Sequence, residues 1–298
     1  METFLQLLVS GLSVGSVYAL VALGFVAIYR ASRVFNFAQG ELLAFGAYVT
    51  TALLGWGLPW GVAIPGAMAA TGLLAAAIER VVLRRLVGRP VFVTIILTIF
   101  VGVLLRILIV VVWKAEMRGV PTPWNPMATV DVGGARVLVS SLAAVAAGAL
   151  ALGGFFLMTR FTRIGVAMRA TSSDQEVAQG LGIPAGRVLG VTWFIAGALA
   201  ALGGAFLGVF PGHVDANLGY VALRAFPAVI VGGLDSPLGA VVSGVALGVL
   251  ELLAQGYVNP RLGEFGKGFH EVFPYVVMIL FLMVRPYGLF GSRKVERL

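Results

Sequence analysis

Long apolar runs separated by short polar segments dominate this sequence. Runs of about 20 residues are long enough to cross a bilayer as α-helices. A further segment, Leu218–Leu234, is shorter and contains glycine and proline, so it is predicted to be a broken or re-entrant helix. The full candidate spans lie near Phe4–Tyr29, Val34–Leu54, Gly61–Leu83, Val91–Trp113, Val137–Met158, Val188–Phe210, Leu238–Tyr257 and Val272–Val284.

This pattern predicts an all-α fold, a polytopic membrane helix bundle with 8–9 spanning segments, of which one or two are broken or re-entrant. Residues 1–298 are expected to form a single transmembrane domain. No basic region precedes the first apolar run, so that run is expected to be a retained span and not a signal peptide.

The composition excludes an ordinary soluble protein. Hydrophobic residues make up 59% of the 298 residues and charged residues only 11%, and the mean hydropathy is +0.99. A soluble domain carries about a quarter charged residues. The chain has no cysteine, which excludes disulfides and thiolate metal sites.

The net charge of +8 would suggest nucleic acid in a soluble protein, but its distribution indicates membrane orientation instead. If the first span runs inward and Leu218–Leu234 crosses, 14 lysine and arginine residues fall on one side of the membrane and 5 on the other. The side that carries more of them is expected to be cytoplasmic. If Leu218–Leu234 only dips in and returns, the asymmetry weakens, so nine crossings are favoured over eight. The predicted cytoplasmic set is Arg30, Arg33, Arg80, Arg84, Arg85, Arg89, Arg160, Arg163, Arg169, Arg187, Arg285, Arg293, Lys294 and Arg297. The predicted outside set is Lys114, Arg118, Arg136, Arg261 and Lys267.

The longest polar interruption, Arg160–Arg187, carries signals for a short helix. The S-x-x-E spacing of Ser173–Glu176 is that of a capping box. A glycine and a proline, Gly182 and Pro184, supply a stop signal. These signals predict a helix over about Asp174–Leu181 within a cytoplasmic segment. The alternative is an ordinary connecting loop with one ordered turn.

Polar side chains also occur at membrane depth. Asn36, Gln39 and Glu41 interrupt an apolar segment, where a charge costs roughly 2.5–3.5 kcal/mol on insertion scales. They are interpreted either as part of a path through the membrane or as a structural cluster that bonds neighbouring helices and basic residues such as Arg30 or Arg33.

Three further ionisable residues lie at membrane depth. Arg224 is predicted to pair with Glu251, whereas Arg106 is expected to extend to the membrane interface. Two G-x-x-x-G motifs, Gly204–Gly208 and Gly244–Gly248, favour close helix packing within the subunit over a dimer interface.

Several apparent enzyme motifs lack the context they need. Gly11–Gly15 matches G-x-S-x-G but lies in a predicted spanning helix, whereas the nucleophile elbow needs a strand–turn–helix. Gly263–Gly268 contains Gly-Lys without the P-loop spacing. The two histidines, His213 and His270, fall in predicted outside loops. No catalytic residue, metal site or cofactor is therefore predicted.

Three motifs resemble a known family. Val34–Leu42, followed by Gly46–Tyr48, resembles the N-F-A-x-G-E-L signature of the branched-chain amino acid permease family (the LivH/LivM type). Ala225–Ala240 resembles that family's A-F-x-A-x-x-x-G-G-x-x-S-x-x-G-A segment, and Glu176–Pro184 resembles the loop by which ABC-importer permeases engage their ATPases. Gln39 stands where many relatives carry His, which leaves the substrate open.

The resemblance implies the permease subunit of an ABC importer in the bacterial inner membrane. It would translocate branched-chain amino acids or a related small polar solute, powered by separate ABC ATPase subunits. A second permease subunit, similar or identical, and a periplasmic substrate-binding protein would complete the assembly within membrane lipid, without nucleic acid. The alternatives are a membrane-embedded transferase, for which no convincing paired carboxylates are present, and a self-sufficient channel or secondary carrier.

The resemblance, together with the polar residues at membrane depth, predicts roles for two groups of residues. The expected ATPase-coupling residues are Asp174, Glu176, Val177, Ala178, Leu181 and Gly182. The expected translocation-path residues are Asn36, Gln39, Gly40, Glu41, Pro227, Gly232 and Gly233.

Overall fold

The computed structural model describes residues 2–86, 90–114, 116–209 and 212–291. Five residues used in the sequence predictions lie outside these ranges, namely Arg89, Phe210, Arg293, Lys294 and Arg297. The α-helices are α1 (Glu2–Ser32), α2 (Gln39–Gly55), α3 (Trp60–Val81), α4 (Val91–Trp113), α5 (Val139–Phe161), α6 (Arg163–Ser173), α7 (Gln175–Gly180), α8 (Ala185–Val209), α9 (Val221–Gly232), α10 (Pro237–Leu253) and α11 (Phe269–Val284).

Short elements join these helices. Two antiparallel strand pairs form, one between β1 (Arg118–Gly119) and β4 (His213–Val214), the other between β2 (Thr129–Val132) and β3 (Ala135–Leu138). The remaining turns are 3-10 helices at Leu83–Leu86, Leu218–Tyr220 and Asn259–Gly266 and a π-helical turn at Ala254–Val258.

Six helical stretches in the described ranges are long and apolar enough to cross a membrane, which confirms an all-α membrane bundle. They are Glu2–Ser32, Trp60–Leu86, Val91–Trp113, Val139–Phe161, Ala185–Val209 and Pro237–Glu264. The helices α2, α9 and α11 have only 17, 12 and 16 residues. Helix length alone therefore does not establish the predicted 8–9 crossings.

Helices α1 and α8 form the centre of the bundle. Of the most apolar 18-residue window, 83% is buried in α1 and 78% in α8, against 17% in α5. The peripheral α3, α4 and α5 leave much of their apolar surface uncovered, as a lipid-facing helix does. The core therefore depends on the first helix of the chain.

Small residues allow α1 to approach its antiparallel neighbour α10 very closely. Gly248 lies against Gly15, and Gly244 lies against Ala19. A Cβ atom at either α10 glycine would meet backbone atoms of α1, so these positions require glycine. The prediction that this G-x-x-x-G motif packs within the subunit is confirmed.

The two ends of the bundle differ. At one end, called here the α7 end, Arg30 on α1 reaches Ser172 on α6. At the other, called here the strand end, the side chain of Trp60 donates from Nε1 to the carbonyl of Pro121 at 2.8 Å, close to the β1–β4 pair.

The predicted span Val34–Leu54 begins later than expected, because α2 starts at Gln39. The Oδ1 atom of Asn36 accepts a hydrogen bond from the backbone N–H of Ala38 at 3.0 Å. Such a local turn competes with helical hydrogen bonding. Residues 34–38 therefore form a non-helical entry to α2, which the apolar pattern alone does not reveal.

Candidate functional site

The polar segment at the α7 end contains two helices where one was predicted. The predicted helix corresponds to α7, but the expected capping box is wrong. Ser173 instead ends α6, and its hydroxyl donates to the carbonyl of Arg169 at 3.1 Å. Asp174 is the cap of α7, since its Oδ1 atom accepts from the N–H groups of Glu176 and Val177 at 2.9 and 3.0 Å.

Helix α7 ends close to Gly182, where the sequence predicts a stop. Gly182 has a φ of 84°, a left-handed conformation that glycine adopts without strain. Its N–H donates to the carbonyl of Gln179 at 2.9 Å, which closes the last turn. The surface is apolar and uncovered, because Val177 is 58% and Leu181 76% exposed, while Ala178 is buried. Two apolar side chains at α7 are therefore not covered by the described part of the subunit.

Both flanks of this segment are tied to spanning helices. On one side, guanidinium groups near the end of α1 donate to Ser172, from Arg30 to its hydroxyl at 3.3 Å and from Arg33 to its carbonyl at 3.2 Å. On the other side, Arg84 donates to the carbonyl of Gly186 at 2.5 Å and to Glu79 at 2.7 Å. These bonds connect the two flanks of α7 to α1, α3 and α8.

A second candidate site is a recess of about 300 Å³ between α1, α2, α4 and α9. Most of its surface is apolar, with one acid and one base. The residues that form it are Phe25, Phe37, Gly40, Glu41, Ile99, Gly102, Val103, Arg106, Gly219, Tyr220, Ala222, Leu223 and Phe226. The non-helical entry to α2 and the turn before α9 bring these residues together.

Arg106 contacts three residues of its own subunit, and its extension to the membrane interface stays a prediction. Its Nε atom lies 3.4 Å from Oε1 of Glu41. Its Nη1 atom donates to the hydroxyl of Tyr220 at 2.6 Å and its Nη2 atom to the carbonyl of Ala216 at 3.0 Å. A charge at this depth is costly without a partner. Glu41 pairs with Arg106, and not with Arg30 or Arg33, which the structural interpretation of the polar cluster suggested.

The residues expected along the translocation path occupy different places. Gly40 and Glu41 line the recess. Asn36 and Gln39 are fully buried behind it, where Gln39 accepts from Asn36 at 3.3 Å and donates to the carbonyl of Ala196 at 3.1 Å. These two amides hold the entry of α2 against α8.

The other three expected path residues lie on α9 and at its end. Pro227 is buried inside α9. Gly232 accepts a backbone hydrogen bond from Phe290 at 3.2 Å, and Gly233 has a φ of 102° in the turn towards α10. This turn is packed at the α7 end and does not line the recess.

The predicted pairing of Arg224 with Glu251 is confirmed. Their side chains approach to 3.8 Å, and Arg224 also lies 2.8 Å from Glu271. The hydroxyl of Tyr18 donates to Glu251 at 2.7 Å. This network joins α1, α9, α10 and α11. Within the described ranges, no group of three or more histidine or acidic side chains could hold a metal ion.

Comparison with known proteins finds relatives along nearly the whole chain. The profile described as "Branched-chain amino acid transport system / permease component" matches residues 7–282. The high-affinity branched-chain amino acid permease LivH of Escherichia coli K12 is 29% identical over 99% of this chain and 97% of its own length. BraD of Pseudomonas aeruginosa is 30% identical over 99% and 98%, and the probable LivH of Methanocaldococcus jannaschii 29% over 94% and 90%. No solved structure matches.

Proposed function

Because this chain belongs to the family of branched-chain amino acid transport permease components, we propose that it is the membrane-spanning subunit of an ATP-driven importer. Its cargo would be branched-chain amino acids or a related small polar solute. The family is a transport component and not an enzyme, so ATP would be hydrolysed on separate ABC ATPase subunits. The observation that carries the proposal is α7, a capped and exposed helix joined to three spanning helices.

In the proposed orientation, the α7 end faces the cytoplasm of a bacterium and the strand end faces the periplasm. The spans α2, α9 and α11, although short, would complete nine crossings of the inner membrane together with the six long helices. A periplasmic substrate-binding protein would dock at the strand end. This orientation places the basic residues at the α7 end on the side favoured by the positive-inside rule.

The coupling segment, residues 160–187, would transmit the ATPase stroke through α7. Asp174 starts the helix, and Glu176, Val177 and Leu181 present its contact surface. The buried Ala178 holds the helix against its own subunit, and Gly182 ends it. Because Arg30 and Arg33 bind the preceding turn, a push on α7 would tilt α1, the central helix.

The translocation path would run past the recess, between this chain and a second permease subunit, similar or identical. Gly40 and Glu41 would line it directly. The buried Asn36 and Gln39 would support the entry of α2, and Pro227 with Gly232–Gly233 would set the shape and the end of α9.

The test is uptake by the reconstituted importer in proteoliposomes, with the cognate ATPases and binding protein. Glu176→Lys is expected to abolish ATP-driven uptake while leaving the amount of subunit in the membrane unchanged. Glu176→Asp is the matched control, since it keeps the negative charge at the same exposed position and should retain uptake. Uptake and ATPase stimulation that persist in Glu176→Lys would refute coupling through α7, and uptake without ATP would favour a carrier.

A further inference from the structure

Two charged side chains in the recess form an ion pair with each other, yet each has a buried polar atom that makes no hydrogen bond. The Oε2 atom of Glu41 and the Nε atom of Arg106 are buried, and neither has a hydrogen-bond partner within the described part of the chain. A buried donor or acceptor that stays unsatisfied costs about 1–3 kcal/mol, and more when it is charged. A ligand that formed hydrogen bonds to both atoms would therefore gain free energy from groups that make none within the described part of the chain.

The arrangement presents two opposite charges beside each other. The Nε and Oε1 atoms of the pair are 3.4 Å apart, so one small ligand can contact both residues. Arg106 is held in place by the hydroxyl of Tyr220 and the carbonyl of Ala216, which occupy one donor on each Nη atom. A guanidinium has five N–H donors, so others remain for a ligand. Glu41 and Arg106, called here the charged wall of the recess, are therefore already oriented before a ligand binds.

The adjoining wall of the recess is aromatic. The ring centroids of Phe25 and Phe226 are 6.0 Å apart, and those of Phe37 and Phe226 are 6.2 Å apart. Phe37 is 37% exposed, so its ring is accessible. The volume of about 300 Å³ is within the range typical of small-molecule sites. Such a wall suits an aliphatic side chain of modest size.

We propose that this recess is a binding site for a zwitterionic α-amino acid with an apolar side chain. The ammonium group would donate to Glu41 and the carboxylate would accept from Arg106, while the side chain would contact Phe37 and Phe226. The inference rests on the proposed function for its place on the transport path. It narrows the cargo, because urea and neutral amides carry no charge to match either residue.

Charge balance supports the same class of ligand. A zwitterion adds no net charge when it enters the site, whereas an acid or an amine would leave one member of the Glu41–Arg106 pair without compensation. Leaving one charge of a low-dielectric pair uncompensated is strongly unfavourable. The site would therefore reject both a fatty acid and an amine of the same carbon skeleton.

The experiment measures ligand-induced thermal stabilisation of the full chain in lipid nanodiscs, without the binding protein. The probes are L-leucine, L-leucinamide, which lacks the carboxylate, and 4-methylpentanoate, which lacks the ammonium group. L-leucine is expected to raise the melting temperature in a saturable manner, and the two analogues are not. Stabilisation by either analogue equal to that by L-leucine would overturn the proposal, as would no stabilisation by L-leucine.

The variants test the two residues separately. Glu41→Gln and Arg106→Gln are each expected to raise the dissociation constant of L-leucine by about tenfold or more, from the loss of one charged hydrogen bond. Glu264→Gln is the control and should bind as the wild type does. If Glu41→Gln lowers the melting temperature without ligand so far that binding cannot be followed, Glu41→Asp replaces it. Aspartate keeps the negative charge on a shorter side chain. An affinity of Glu41→Asp for L-leucine equal to that of the wild type would overturn the proposal.

The outcome is separable from that of the proposed function. ATP-driven uptake by the complete importer, combined with L-leucine binding that is absent or unaffected in Glu41→Gln, would leave the transport function standing and remove this site. Specific L-leucine binding without ATP-driven uptake would leave this site standing and remove the proposed transport function.

Discussion

Removal of the cap of α7 is expected to weaken coupling in a graded way. Asp174 accepts the N–H groups of two residues at the start of α7, which has only six residues. Replacement of such a cap by alanine costs typically about 1 kcal/mol. A helix shorter than two turns has no intrinsic stability in water to offset this loss. In Asp174→Ala, the ratio of folded to unfolded α7 should therefore fall about fivefold.

The assay is ATP hydrolysis and solute uptake by the complete importer in proteoliposomes. Asp174→Ala should lower both the stimulated ATPase rate and uptake, by up to about fivefold when folding of α7 limits coupling. The matched control is Asp174→Asn, because asparagine caps helices about as well as aspartate. It should retain most of the activity, apart from a small loss of helix-dipole interaction.

Two outcomes would refute this reasoning. If Asp174→Ala transports and stimulates the ATPases as the wild type does, the folded state of α7 is not required for coupling. If Asp174→Asn loses as much activity as Asp174→Ala, the carboxylate acts through its charge and not as a cap. In either case the amount of each variant in the membrane has to match that of the wild type.

Two further predictions concern stability and are measured by thermal unfolding of the purified chain in detergent. Gly248→Ala should destabilise the chain by about 1–3 kcal/mol, because the added methyl group meets the backbone of α1. The control Gly55→Ala should have little effect, because nothing lies within 4 Å of the new atom. Equal melting temperatures for the two variants would contradict the α1–α10 contact. Arg84→Gln should cost about 1–3 kcal/mol because it leaves the buried carboxylate of Glu79 without its charged partner. The control Lys267→Gln breaks an exposed pair and should cost less than about 1 kcal/mol, so a loss as large as that of Arg84→Gln would argue against burial as the cause.

The sequence predicts uninterrupted spans well. Helix α4 begins at Val91 and ends at Trp113, as the apolar run indicated, because Pro90 precedes it and Lys114 follows it. Hydropathy was less informative where a polar side chain redirects an apolar segment, as Asn36 does before α2. It also missed α6, whose polar sequence resembles a loop and whose helix depends on a local cap at Thr162.

The candidate sites were only partly accessible from the sequence. Local signals located α7 and its glycine stop, but they favoured Ser173 as the cap where Asp174 fills that role. Glu41 was identified from its cost at membrane depth, whereas its pairing with Arg106 depends on the packing of α4 beside α2. Periodicity contains no information on such distant pairs, so the charged wall of the recess emerges only from the three-dimensional arrangement.

The contact between α1 and α10 has a consequence for biogenesis. Helix α1 leaves the ribosome before α10, because Gly248, which packs on Gly15 of α1, is synthesised roughly 230 residues later, or about 10–45 s at ordinary elongation rates. During that interval the glycine face of α1 has to remain in lipid or beside the insertion machinery. Chains that stall before α10 would expose this face, and they should be preferred substrates for membrane quality-control proteases.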